Sequence, residues 1–208
     1  MSIEEELLKA LIGLSSTIII LGLGWLIGQR FATYWAIQQR RRELKITTAN
    51  EFYALYGEFF AVWKLWEYSL SREIDLPDNN RFELLKRAAS AEGSLEAVFV
   101  KLSAERNLSS EEIEILGKFR QGFQKIRESI ADNVATGWYY QDHPEYATFK
   151  RLAYFVASII DSEDSAKIKL RESRADALTK ITGPTWEDNW VLTEEEWQRL
   201  KESGNISG

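Results

Sequence analysis

No cysteine occurs in the 208 residues; histidine and methionine occur once each and proline three times. Without cysteine there are no disulfides, no thiolate metal ligands and no cysteine nucleophile. A single histidine, His143, removes the metal motifs that need two, including the paired Glu-x-x-His ligands of di-iron bundles. No serine stands in a nucleophile elbow, and no Gly-x4-Gly-Lys phosphate loop is present. Gly22-x-Gly24 lies inside an apolar run, where it has no nucleotide to cradle. The acid clusters Glu111, Glu112 and Glu114, and Glu194 to Glu196, sit where helices should begin, a placement the helix dipole favours without any catalysis. The expectation is therefore a non-enzymatic chain with no cofactor and no metal.

Alternating Val/Ile/Thr stretches are also missing. Few helix breakers and abundant Leu, Glu, Lys and Ala predict an all-α fold. Eight Trp, eight Tyr and ten Phe supply enough large apolar surface for a packed core.

What the chain does have, near its start, is charge-free length. Leu7 to Ile27 is interrupted only by Lys9, and no ionisable side chain occurs from Ala10 to Gln29. At about 1.5 Å per residue such a helix spans the roughly 30 Å hydrocarbon core of a bilayer. The first six residues are acidic and no small-x-small site follows Ile27, so the run reads as an uncleaved anchor rather than a signal peptide. Arg30, Arg40, Arg41, Arg42 and Lys45 follow it, against only Lys9 before it. The positive-inside rule then predicts a translocated N-terminus and a large cytoplasmic domain, as at a bacterial inner membrane.

The expected organisation is a short translocated N-terminus (1–6), a transmembrane helix (7–28), a basic juxtamembrane helix (29–47), a cytoplasmic bundle of about five to six helices (48–183) and a Trp-rich acidic tail (184–208). Five of the 26 Lys+Arg and four of the 32 Asp+Glu precede residue 45. The remainder holds 21 against 28, a net charge of −7, which disfavours nucleic acid as a partner.

Within the bundle, Phe52, Leu55, Tyr56, Phe59, Trp63, Trp66 and Leu70 recur at helical spacing, with Tyr53, Phe60 and Tyr68 on the flanks. A helix apolar over so much of its girth should be covered on more than one side. Capping boxes are expected at Thr48/Glu51, Ser109/Glu112 and Thr193/Glu196, the first marking either a new helix or a kink. Apolar faces are predicted along 81–106 (Leu85, Ala88, Leu95, Val98, Phe99, Leu102), along 110–133 (Ile113, Leu116, Phe119, Phe123, Ile126, Ile130) and after Pro144 (Phe149, Leu152, Ala153, Val156, Ile160). His143 is expected at the start of that last helix, with Asp142 as its cap.

Three sets of residues are candidates for recognition. Gly13, Thr17, Gly24 and Gly28 form a small-residue stripe suited to helix–helix association in the membrane. Arg30, Trp35, Arg40, Arg41 and Arg42 suit the bilayer interface and anionic lipid. Phe60, Trp63, Trp66, Trp138, Tyr139, Tyr140, Trp186, Trp190 and Trp197 have the composition of an oligomer or partner surface. The expected partners are membrane lipids, further copies of the chain and a cytoplasmic protein. The alternatives are an oligomeric effector whose membrane helices form a pore, with Ser15, Ser16 and Thr17 facing water, and a membrane-tethered enzyme. The layout alone is similar to that of small bacterial membrane proteins that assemble as rings or dock soluble partners, some of them accessory to antiviral systems; no motif carries that likeness.

Overall fold

The computed structural model describes residues 3–74, 76–138, 143–162, 174–186 and 189–202; the side chains of residues 3–23, Leu26 and Arg41 lie outside that description. Among the described residues the chain is all-helical: α1 (Ile3–Ser71), α2 (Asp78–Glu105), α3 (Ser110–Ala131), α4 (Pro144–Asp161), α5 (Arg174–Thr182), a 3-10 turn (Pro184–Trp186) and α6 (Glu194–Glu202). Two compact units divide it, Met1–Ile46 and Thr47–Gly208.

In the first unit every described side chain from Gly24 to Ile37 is exposed. Among the described residues, no helix is long and apolar enough to cross a membrane; most of the run from Leu7 to Ile27 falls on side chains outside the description.

The second unit is built around α3, which packs against α2, α4, α5 and the 3-10 turn. Its apolar residues recur every three or four positions, so Ile113, Leu116, Phe119, Phe123, Ile126 and Ile130 are all buried on one side. Ser109 starts the helix with a complete capping box: its hydroxyl accepts from the Glu112 N–H (3.1 Å), and the Glu112 carboxylate accepts from the Ser109 N–H (2.7 Å). At Gly122 a Cβ would collide with the Phe149 ring of α4. The missing side chain lets that ring, which has no exposed surface, become the hub of the core. Phe59 stacks on it at 4.3 Å and Phe119 at 4.8 Å.

Two expectations need correction. No helix begins at Thr48, which is buried inside the continuous α1, so Thr48/Glu51 is not a start signal; propagation through a strong helix-forming stretch outweighs a local capping pattern. Of the flanking rings expected beside the buried face of α1, Phe60 is half-buried but Tyr53 and Tyr68 stand open. Phe52, Phe59, Val62, Trp63 and Trp66 face the core, whereas Tyr53, Leu65 and Tyr68 are 58%, 49% and 55% exposed.

Candidate functional site

The polar groups inside the second unit are committed to structure. Glu67, near the end of α1, is buried and accepts from the Thr136 N–H (2.7 Å) and the Thr136 hydroxyl. That hydroxyl oxygen also receives Trp63 Nε1–H at 3.3 Å, while Trp66 Nε1–H donates to the Val134 carbonyl at 3.0 Å. Trp138 Nε1–H donates to Glu145 Oε2 at 2.7 Å. The bonds of Glu67, Trp63 and Trp66 clasp the segment leaving α3 onto α1, Trp138 ties it to α4, and these three buried indoles each find a partner. Gly137 (φ 75°) makes the turn in that segment, with the His143 ring beside it. His143 is the N-cap residue of α4 but its side chain accepts no capping bond, and its buried Nδ1 has no hydrogen-bond partner among the described residues.

Charges clamp the helices together. Arg127 Nε meets Glu92 at 2.6 Å and Arg120 Nε meets Glu96 at 2.6 Å, joining α2 to α3. Glu58 of α1 meets Arg87 of α2 at 2.7 Å, and that bond outweighs burial to hold the Glu58 carboxyl below its ordinary value. Lys118 of α3 is almost fully buried; its Nζ lies 3.0 Å from Glu114 and 2.9 Å from Glu196 of α6. Burial pushes the Glu196 carboxyl up, but Lys118 and the N–H and hydroxyl of Thr193 together hold it below its ordinary value. Thr193 and Glu196 complete the expected box, with Thr193 N–H donating to Glu196 at 2.8 Å and Glu196 N–H to Thr193 Oγ1 at 3.2 Å.

The aromatic candidates divide by position. Trp63, Trp66, Trp138 and Trp190 are buried, so they are core rather than a recognition surface. Their distant partners account for this, because Val134, Thr136 and Glu145 satisfy three of the indole N–H groups from inside. Phe60 is half-buried beneath the ammonium of Lys150, 4.6 Å from its ring centre. Trp186 is half-buried against Gly117 and donates to the Lys180 carbonyl at 2.9 Å. Trp197 packs edge-on against Phe155, with Arg151 over its face at 4.6 Å. Tyr139 and Tyr140 lie outside the described residues, as does Asp142.

In the first unit, Gly24 and Gly28 are exposed, and a Cβ at either would meet nothing within 4 Å. Ala32 and Ala36, also exposed, continue the same four-residue step, readable in the sequence only by extending the glycine pattern past Arg30. Arg30, Trp35, Arg40 and Arg42 are exposed too, as are Trp25 and Tyr34. The side chains of Gly13, Thr17 and Arg41 are outside the description.

A cleft of about 400 Å³ opens where α1 ends and α2 begins. Glu73, Asp78 and Arg81 line it, with Arg81 turned back onto Asp78 at 3.3 Å, so no set of like groups converges there. Among the described residues no group of three His, Asp or Glu side chains could hold a metal ion. On the part of α1 within the second unit, Tyr53, Leu65 and Tyr68 are large exposed side chains.

Comparison with family models, with curated proteins and with solved structures gives no match for this chain.

Proposed function

We propose that this is a single-pass, membrane-anchored helical protein without enzymatic activity, acting through self-association and partner binding at the cytoplasmic membrane face. The observation that carries the reading is the absence of any ionisable side chain from Ala10 to Gln29, followed at once by aromatic and basic residues. Trp25, Phe31, Tyr34 and Trp35 are 67%, 63%, 60% and 64% exposed. In water, so many bare rings on one helix are costly; at a headgroup boundary their apolar bodies and polar edges are both accommodated. Arg30, Arg40 and Arg42 beside them suit anionic headgroups, and long basic side chains reach outward to phosphates.

Anchoring confines the helical domain to two dimensions and raises its effective concentration for weak partners. The ridge of Gly24, Gly28, Ala32 and Ala36 supports self-association, since small residues allow two helices to approach closely.

Alkaline carbonate extraction of membranes from cells expressing the full chain tests the anchor. The chain should remain in the pellet, and Ile19→Asp with Leu21→Asp should move it to the supernatant. Release of the unaltered chain by carbonate would contradict anchoring.

A further inference from the structure

Two pairs of residues, each one helical turn apart, meet in the second unit. Tyr56 and Phe60 stand on α1, and Tyr146 and Lys150 on α4; a step of four keeps both members of a pair on one side of their helix. The faces of Tyr56, Phe60 and Tyr146 converge on one point, and the Lys150 ammonium occupies it. Its Nζ lies 4.6 Å from the centre of Phe60, 5.6 Å from that of Tyr56 and 5.9 Å from that of Tyr146. Nζ also donates to Tyr56 Oη at 3.2 Å. The rings are braced from behind. Trp63 stacks on Tyr146 at 5.5 Å and meets Phe60 edge-on at 5.5 Å, and Tyr56 lies parallel to Phe149 at 6.0 Å. All three rings are half-buried, whereas Lys150 is exposed.

We propose that these three rings form a receptor for a quaternary ammonium group, which the chain's own lysine fills while no such ligand is bound. Among the described residues the Lys150 ammonium meets rings and a phenol, and no carboxylate. That selects the class of ligand. A primary ammonium is compact and strongly hydrated, so leaving water for ring faces costs it more than it costs a methylated one. Methyl groups also lie against the rings and add apolar contact that the lysine head lacks. Lys150 is a plug able to leave, because its exposed four-carbon stem carries the head back to water. The net charge of −7 from residue 45 onward draws cations to the domain. The receptor lies within the second unit and does not depend on the anchor. Choline as a free compound and choline as a lipid headgroup share its chemistry.

The test is saturation-transfer NMR of the tetramethylammonium methyl signal, with the full chain in a detergent that has no ammonium headgroup. The unaltered protein, Lys150→Ala, and Lys150→Ala with Phe60→Leu are titrated at constant ionic strength. Removing the plug should lower Kd by about threefold or more, since only the unplugged fraction of the chain is free to bind. Loss of the nearest ring should then raise Kd by about threefold or more. Those two variants carry the same net charge, so that second step reads the ring alone. Absence of saturable binding to Lys150→Ala overturns the receptor, and so does a Kd that Phe60→Leu leaves unchanged. Equal Kd for the unaltered chain and Lys150→Ala overturns the plug. If Phe60→Leu disturbs the circular dichroism, Tyr146→Leu decides by the same readout. Choline and glycerophosphocholine, titrated into Lys150→Ala, separate the two sources: tighter choline assigns the receptor to a free compound, and tighter glycerophosphocholine to a lipid headgroup.

Discussion

Glu196 of the last helix reaches Lys118 of the central helix at 2.9 Å, and this ion pair ties the C-terminal segment into the core. Lys118 has no alternative in water, because its side chain is 2% exposed; Glu196, at 22%, keeps some solvent. The two partners should therefore respond differently to mutation. Glu196→Gln leaves the ammonium with Glu114 alone and should cost about 1.5–3 kcal/mol, the range for a hydrogen bond to a charged group. Lys118→Met fills the same space with apolar atoms while the two carboxylates turn to solvent, and should cost less. Urea unfolding of both variants checks the order; equal stability of Glu196→Gln and the unaltered chain would refute it.

The same pair sets a pH dependence. Glu196 and Glu58 are both held below their ordinary value of 4.5 in the fold. A carboxyl depressed on folding stabilises the native state above the unfolded value, and the contribution is lost as pH falls through the lower folded value. The stability difference between the unaltered chain and Glu58→Gln with Glu196→Gln should thus be full at pH 7, begin to shrink near 4.5 and vanish below the folded values. Chemical unfolding across that range measures it. A difference that grows as pH falls would reverse the sign and reject the assignment.

Two glycines inside helices should behave oppositely. Gly122→Ala drives a methyl into the fully buried Phe149 ring, which is stacked between Phe59 and Phe119, and should destabilise by about 1–3 kcal/mol. Gly93→Ala in α2 meets nothing within 4 Å and should stabilise by about 1 kcal/mol through helix propensity. Thermal midpoints of the two variants should move in opposite directions.

Much of this was legible from periodicity. The buried faces of α3 and α4, and the capping boxes at Ser109 and Thr193, follow from spacing within a single helix. What escaped depends on residues distant in sequence. Trp66 reads as a recognition residue until the Val134 carbonyl, sixty-eight residues away, is found on its N–H. Lys118 carries no sequence signal of its burial, since nothing near it announces a carboxylate arriving from seventy-eight residues downstream. The open side of α1 was hidden for the converse reason: aromatic residues on the flanks of a helix imply burial, and only the fold shows that Tyr53 and Tyr68 are more than half exposed. The Gly24/Gly28 pattern was readable, whereas its continuation through Ala32 and Ala36 blends into ordinary helix composition.

The absence of cysteine makes the most direct test of anchoring simple, because one introduced thiol is the only one in the chain. Ser2→Cys and Thr47→Cys, made separately in the full chain, are treated in intact cells with a membrane-impermeant maleimide and again after lysis. A helix crossing once with the domain inside labels Ser2→Cys in intact cells and Thr47→Cys only after lysis. Protection of both thiols until lysis would contradict the crossing, and labelling of Thr47→Cys alone would contradict the orientation.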